Sequence, residues 1–222
     1  MPELDVQVFY SEMTNEQKKL YEKEKSKARN FLLENYEKGN FEYQSLVIRT
    51  LLRLRQLVNH PKLVFDDFAQ ESGKFKDILE QWEVITKSEH KVLIFSSFVK
   101  YLELFKNQLE DKQSAFSWLT GGVPAKKREA EITRFQKDPT VKSFLISTKA
   151  GGTGLNLTAA DYVFMLDPWW NPAAERQAIA RAHRIGQTKK VFALKFITKV
   201  SGTASVIEND TLILNGKFNQ EE

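Results

Sequence analysis

The run STKAGGTGLNLTAADYVFMLDPWWNPAAERQAIARAHRIGQ, residues 147–187, combines the fold pattern of this chain with its strongest functional pattern. A glycine loop leads into a short apolar strand, a double tryptophan and a segment with helical spacing. In that segment Gln177, Arg181 and Arg184 follow one another at offsets of four and three residues. At about 100° per residue, a helix over 173–185 would bring all three within an arc of roughly 60°.

Two guanidinium groups aimed in one direction suit a particular class of ligand. Paired guanidinium groups stabilise a polyphosphate whose negative charge grows during phosphoryl transfer. The arginine spacing therefore predicts that this chain takes part in nucleotide hydrolysis.

Short apolar runs alternate with helical segments from about residue 72 onward. The predicted strands are 91–98, 116–119, 144–148, 162–166 and 191–198. Continuous apolar strands separated by helices indicate a parallel sheet covered on both faces. Ligands of such sheets bind at the carboxyl ends of the strands. Those ends carry nearly every unusual residue of the chain, namely 96–97, 120–122, 148–152 and Asp167.

The first seventy residues have a different sequence pattern. Val6, Val8 and Tyr10 alternate with polar residues, which predicts a half-buried strand. Residues 14–17 (TNEQ) match a capping box that starts a helix, and a second helix is predicted over 43–59. We expect a strand and helical region over 1–70, an α/β lobe over 71–200 and a tail over 201–222 of undecided structure.

Composition limits the possible classes of protein. The 222 residues are 41% apolar and 28% charged, with a net charge of +4, which fits a globular protein and permits an anionic partner. The absence of cysteine excludes disulfides and thiolate catalysis, and the three histidines lie too far apart to predict a metal site. No apolar run reaches the ~20 residues that span a bilayer, so we expect an intracellular protein without a membrane partner.

A complete P-loop ATPase needs parts that the sequence does not contain. The GxxxxGK[ST] pattern that cradles phosphates is absent. Asp167 follows an apolar strand, but Pro168 stands where a second acid is needed, which predicts a shaped turn and not a magnesium site. Since arginine fingers often act across an interface, the simplest interpretation is a lobe that closes onto a second lobe holding ATP.

Seven segments together resemble the C-terminal motor lobe of Snf2-type (Swi2/Snf2) ATPases of helicase superfamily 2, over roughly residues 3–200. In order they are MTNEQKKLY (13–21), LRQLVNHP (54–61), SGK (72–74), KVLIFSSF (91–98), LTGGVPAKKREAEITRFQ (119–136), STKAGGTGLNLTAAD (147–161) and QAIARAHRIGQ (177–187). The resemblance implies an α/β fold: a RecA-like three-layer lobe with a parallel sheet and an N-terminal helical protrusion.

The resemblance also implies roles for individual residues. Arg181 and Arg184 would reach the γ-phosphate in the other lobe, and Gln177 would help to organise them. Gly152 and Gly154 would let the backbone approach the nucleotide or the facing lobe closely. The residues implied along the DNA backbone are Ser97, Thr120, Gly121, Thr148, Lys149 and Trp170.

In a complete enzyme the resemblance implies ATP-driven translocation on double-stranded DNA without strand separation. The N-terminal RecA-like lobe of the same protein would hold most of the ATP and Mg²⁺ site, and a DNA-bound protein complex is a further expected partner. The isolated chain is expected to be inactive. Two alternatives stay open: a non-catalytic module that binds DNA or a partner, and an RNA helicase lobe.

The sequence departs from the family pattern at three places. Ala180 stands before Arg181 where the family usually has Asp, and Arg176 stands where an acid is common. Residues 202–207 (GTASVI) lack the paired glutamates of the helix that usually packs across both lobes. These departures concern the support of the arginines and the brace between the lobes.

Overall fold

The computed structural model describes residues 2–35, 40–150, 154–168 and 172–199. Strands and helices alternate along most of these ranges. In chain order the elements are β1 (Leu4–Glu12), α1 (Asn15–Glu34), α2 (Asn40–Asn59), a 3₁₀ turn (Pro61–Leu63), α3 (Gly73–Lys87), β2 (Val92–Ser96), α4 (Val99–Asp111), β3 (Phe116–Leu119), α5 (Ala125–Lys137), β4 (Ser143–Ser147), β5 (Tyr162–Met165), α6 (Pro172–Ile179) and β6 (Val191–Lys199).

The strands form one six-stranded sheet in the order β1-β6-β5-β2-β4-β3. Every described pairing is parallel. The strands β2 and β4 are buried along their whole length, because helices cover both faces of the sheet. The predicted α/β fold of the RecA-like type, with a parallel sheet between two helical layers, is confirmed.

Each face of the sheet has its own hydrophobic cluster. On one face α3 and α4 pack Phe75, Trp82 and Phe105 against the sheet. On the other face α5 and α6 contribute Phe135 and Ile179 to a second cluster. None of the described helices has both the length and the apolar character needed to cross a membrane.

The helices α1 and α2 form a separate pair that packs around Tyr21 and Leu57. Thr14 caps α1 as predicted, because its side chain accepts a hydrogen bond from the backbone N–H of Gln17 at 3.3 Å. The other half of the predicted capping box is wrong. The side-chain amide of Gln17 donates instead to the carbonyl oxygens of Leu57 and Val58, at 2.9 and 3.0 Å, and so satisfies the end of α2.

The strand β1 lies at one edge of the sheet and pairs with β6 over nine residues. Residues 4–12 therefore share a sheet with the lobe predicted over 71–200, although the boundary proposed at residue 70 stays a prediction. The strand itself is confirmed. The implied burial of its apolar row is wrong, because Val6, Val8 and Tyr10 are 44–46% exposed, whereas the opposite face carries the buried Ser11 and the partly buried Phe9.

The predicted helix over 173–185 is wrong in its length. The helix α6 ends at Ile179, and tight turns follow it through residue 187. In these turns the backbone N–H of Arg181 donates to Ala178 and that of Ala182 donates to Ile179, both at 3.1 Å. Arg181 and Arg184 therefore lie beyond the helix, and a helical arc does not align them with Gln177.

Candidate functional site

The carboxyl ends of four neighbouring strands form one rim of the sheet, here called the carboxyl rim. It runs from β5 through β2 and β4 to β3. Hydrogen bonds join these ends, because the N–H of Thr148 after β4 donates to the carbonyl of Ser96 at 3.0 Å. The described residues of the predicted DNA-contacting set follow this rim in the order Ser97, Thr148 with Lys149, and Thr120 with Gly121.

The exposure of these rim residues differs. Lys149 and Gly121 are exposed, whereas Ser97 and Thr148 are half-buried. Thr120 is 9% exposed. A Cβ on Gly121 would meet nothing within 4 Å, so the rim is open at this turn. Trp170, the remaining residue of the predicted set, lies outside the described residues, as does Gly152.

Asp167 lies two residues after the end of β5 and is 4% exposed. Its carboxylate accepts hydrogen bonds from the backbone N–H of Ser97 at 3.1 Å and from the Ser97 hydroxyl. Burial raises the pKa of Asp167, while hydrogen bonds from Ser96 and Ser97 and the charges of Lys74 and Arg55 oppose that rise. The carboxylate is thus engaged in holding the loop after β2. Among the residues the structure describes, no group of three or more His, Asp or Glu is placed to hold a metal ion.

Arg181 and Arg184 stand on a turn that is tied to the loop before β5. The N–H of Leu157 donates to the carbonyl of Arg181 at 2.9 Å, and the Arg184 guanidinium reaches the carbonyl of Gly154 at 3.4 Å. The side-chain amide of Gln187 donates to three carbonyls, those of Thr158, Ala160 and Ala182. This bonding fixes the backbone that carries both arginines.

The two arginines are not neutralised within the described chain. Arg181 is 8% exposed and its Nε has no hydrogen-bond partner. Burial lowers the pKa of Arg181, and the positive charge of Arg184 lowers it further. Because a buried charge is normally paired, this arrangement fits an anion supplied by another molecule or lobe.

The other predicted members of the nucleotide site are less closely tied to the arginines. Gln177 is exposed on α6 and makes no hydrogen bond with either arginine among the described contacts. Gly154 is exposed, and a Cβ there would meet nothing within 4 Å. Ala180 is exposed at the start of the turn. Open space above Gly154 leaves room for close approach from outside the chain.

Three buried polar residues were not identified individually from the sequence. They are Arg55, Asn59 and Lys74, each at most 5% exposed. A helical wheel contains the signal for the first two, because Arg55 and Asn59 follow Leu51 at offsets of four and eight and so share the buried face of α2. Lys74 gives no comparable signal.

Comparison with known proteins identifies the family. Residues 73–186 match the helicase conserved C-terminal domain, and the chain belongs to that family. It is similar to the C-terminal part of the Fun30 ATPase domain, with a TM-score of 0.75 and 25% identity over 90% of this chain and 86% of that one. It is also similar to a Sulfolobus solfataricus SWI2/SNF2 ATPase core in complex with dsDNA, with a TM-score of 0.74 and 32% identity over 89% of this chain and 41% of that one.

The sequence relatives agree with these structures. The chain is 43% identical to the DNA repair protein RAD5A of Arabidopsis thaliana over 129 residues, which are 58% of this chain and 12% of that protein. The curated relatives that it matches are much longer, since the chain spans between 8% and 20% of them. The fold is therefore that of the C-terminal lobe of Snf2-family ATPases, related to DNA repair and remodelling ATPases.

Proposed function

We propose that this chain is the second motor lobe of an ATP-dependent translocase that moves on double-stranded DNA. Arg181 and Arg184 reach the γ-phosphate of a nucleotide held by a first RecA-like lobe. The observation that carries this proposal is the buried side chain of Arg181, whose Nε has no hydrogen-bond partner, which has no acidic partner among the described residues and which lies beside a second arginine. A polyphosphate would supply the negative charge that this part of the chain lacks.

The contribution of this lobe to hydrolysis is electrostatic. ATP with Mg²⁺, held mainly by the first lobe, would supply the transferable phosphoryl group and its neutralising cation. The hydrogen-bonded turn around Gln187 fixes the backbone that carries the two arginines before that charge develops, so little backbone reorganisation is needed during reaction. Gln177 assists them from α6, and Gly152 and Gly154 admit the nucleotide or the facing lobe.

The carboxyl rim is the proposed DNA surface. Its hydroxyl groups, exposed glycine and exposed lysine suit contacts to phosphates, which fix position on a duplex without reading sequence. The relative solved with dsDNA supports a duplex as the ligand. The contacts proposed are Ser97, Thr120, Gly121, Thr148, Lys149 and Trp170.

The wider setting is also a proposal. One relative is named as a DNA repair protein of a plant, which supports a nuclear role if this chain is eukaryotic. We propose that the partners of the complete enzyme are double-stranded DNA, its own N-terminal RecA-like lobe and a protein complex bound to that DNA.

The isolated chain is expected to hydrolyse ATP no faster than buffer, with or without duplex DNA, because half of the site is supplied from elsewhere. The measurement is phosphate release at saturating ATP by residues 1–222. Fusion to a P-loop lobe of the same family is expected to give DNA-stimulated hydrolysis. Turnover by the isolated chain would contradict the split site, and a fusion that binds DNA without hydrolysis would favour a binding module.

Lys149→Ala is expected to reduce the salt dependence of duplex binding by about one unit of slope of log K against log[salt], because one phosphate contact is lost. The measurement is fluorescence anisotropy of a labelled duplex at several salt concentrations. Lys142 is a matched control, since it precedes β4 at the amino ends of the strands, opposite the carboxyl rim, and pairs with Glu89. An equal change of the salt-dependence slope in Lys142→Ala would show that the carboxyl rim is not the binding surface.

A further inference from the structure

A buried polar cluster joins the pair of helices α1 and α2, here called the helical protrusion, to the carboxyl rim. It consists of Arg55 and Asn59 on α2, Lys74 on α3 and Asp167 after β5, which are 5%, 3%, 2% and 4% exposed. Arginine, lysine and aspartate are almost never this buried unless they are paired. Apolar residues of similar size in such positions are often neutral for stability or stabilising, so a buried charged cluster calls for a reason other than stability.

Arg55 contacts the two loops that leave β2 and β5. Its Nη2 donates to the carbonyl oxygen of Pro168 at 3.4 Å. Its guanidinium carbon also lies 5.6 Å from the centre of the Phe98 ring, which is a cation–π distance. A single side chain of α2 thus touches the residue after Asp167 and the residue after Ser97.

Lys74 and Asn59 attach the same cluster to the start of α3. The Nζ of Lys74 donates to Oδ1 of Asn59 at 2.7 Å, and Nδ2 of Asn59 donates to the carbonyl of Arg55 at 3.0 Å. The positive charges of Lys74 and Arg55 both act on the carboxylate of Asp167. The last turn of α2, the first turn of α3 and the end of β5 are therefore electrostatically connected.

Asp167 also binds Ser97 and so links the buried polar cluster to the loop after β2. Both carboxylate oxygens lie 3.1 Å from the Ser97 backbone nitrogen, and one of them also accepts from the Ser97 hydroxyl. The loop of residues 96–98 is consequently held from two sides: Asp167 binds Ser97, and Arg55 covers the neighbouring ring of Phe98.

We infer that Arg55 is a positioning residue: acting through Phe98, Pro168 and Asp167, it holds the loop of residues 96–98 in the orientation from which the Ser97 hydroxyl, released from Asp167, can donate to a DNA phosphate. This inference rests on the proposed function, in which Ser97 contacts the DNA backbone. A shift of α2 relative to the sheet then changes the carboxyl rim, because buried hydrogen-bonded clusters have few alternative arrangements. The helical protrusion is in this way coupled to DNA binding.

The test compares Arg55→Met with Arg53→Met in the chain of 222 residues. Arg53 lies on the same helix, but its contacts stay near the protrusion: Nε bonds Glu24 at 3.1 Å and the guanidinium lies 5.1 Å from the Phe65 ring. Two quantities are measured, the hydrogen-exchange rate of the Ser97 amide by NMR and the Kd for a labelled duplex by anisotropy. Arg55→Met is expected to raise both by about tenfold, since a hydrogen bond to a charged group is weakened. Arg53→Met is expected to leave both near the wild-type values.

The outcomes separate this inference from the proposed function. Wild-type exchange of the Ser97 amide in Arg55→Met overturns the inference. A wild-type Kd in Arg55→Met also overturns it if Ser97→Ala weakens binding, and the proposed DNA surface then stands. If Ser97→Ala, Lys149→Ala and Arg55→Met all bind DNA like wild type, the proposed DNA surface fails and the inference fails with it.

A conservative variant covers the case in which Arg55→Met does not fold. Arg55→Lys keeps the positive charge near Asp167 but loses the planar guanidinium that bonds Pro168 and covers Phe98. It is expected to raise the Ser97 exchange rate by about threefold, because lysine does not replace arginine at stacked or bidentate sites. Wild-type exchange in this folded variant overturns the inference.

Discussion

A two-lobe ATPase that contains this chain is expected to lose about 10³-fold or more in kcat when Arg181 is replaced by alanine. The guanidinium of Arg181 is buried, held on a fixed turn and without an acidic partner among the described residues. Its proposed ligand is the negative charge that grows on the γ-phosphate, so its removal acts on the transition state and less on ATP affinity. The measurement is steady-state phosphate release at saturating ATP and DNA.

Arg176→Ala is the matched control for this variant. Arg176 is exposed on α6, five residues before Arg181, and is expected to retain nearly wild-type kcat when replaced. Equal losses in the two variants would indicate a general effect of positive charge on this surface. Near-normal kcat in both Arg181→Ala and Arg184→Ala would refute their assignment as arginine fingers.

Stability gives an independent check on the same arginines. Burial lowers the pKa of Arg181 most, and the positive charge of Arg184 lowers it further, because the two charges repel each other in the folded chain. Arg184→Ala removes this repulsion together with a long hydrogen bond, 3.4 Å, to the exposed carbonyl of Gly154, so the Tm of the isolated chain is expected to stay nearly unchanged. Replacing a structural arginine lowers the Tm, because its removal leaves bonded partners unsatisfied.

The double variant Arg181→Ala/Arg184→Ala is expected to lose less activity than the product of the single losses, as for groups that act as one unit.

Gly73→Ala is expected to destabilise the chain by about 3 kcal/mol or more, because the added methyl group has no space. A Cβ at this position would overlap the backbone oxygen of Glu12 and lie 3.2 Å from its carbonyl carbon. Both neighbours are backbone atoms at the end of β1, so they cannot rotate away as a side chain can. The expected fall in Tm is roughly 10 °C, measured by thermal unfolding followed by circular dichroism.

The sign of the stability change in Gly73→Ala distinguishes the steric effect from helix propensity. Gly73 is in the first turn of α3, and alanine is favoured over glycine in helices by about 1 kcal/mol. Helix propensity alone therefore predicts a more stable variant. Gly154→Ala is the control, because a Cβ there would meet nothing within 4 Å. If Gly73→Ala were as stable as wild type, β1 and α3 would not approach as closely as described.

The parallel sheet was predictable from the sequence because its signal is local. Each inner strand is a short apolar run between helical segments, and the predicted strand over 91–98 corresponds to β2 at Val92–Ser96. The carboxyl rim follows from parallel strands alone, since all their ends meet at one edge of the sheet. The predicted positions of Ser97, Thr120 and Thr148 on this rim needed no knowledge of distant contacts.

The end of α6 was not predictable in this way. Ala178, Ile179 and Ala182 continue an apolar pattern, and no glycine interrupts it before Gly186. The helix nevertheless stops at Ile179, where the carbonyl of Arg181 accepts the N–H of Leu157 and the Gln187 side chain binds the carbonyl of Ala182. The Gln187 side chain also binds carbonyls 27 and 29 residues away in sequence, those of Ala160 and Thr158. Tertiary contacts thus override helix propensity here.

The buried polar cluster shows the same limit more strongly. Arg55 and Pro168 are separated by 113 residues, and the bond between Ser97 and Asp167 spans 70. Sequence spacing within α2 places Arg55 on a buried face but does not reveal its partner. The seven family-like segments identify the fold, whereas the contacts among those segments are seen only in the folded structure.

The pairing of β1 with β6 has a consequence for how the chain is made. Residues 4–12 are synthesised before the other strands of the sheet, and their partners at 191–199 emerge after nearly all the described residues. Until then β1 has no neighbour in the sheet, and the side of β5 that later receives β6 is also open. Pairings between distant residues form slowly, and open strand edges recruit other chains. A polypeptide that stops before residue 191 therefore leaves unpaired the two strand edges that β6 covers, and we expect it to aggregate during synthesis.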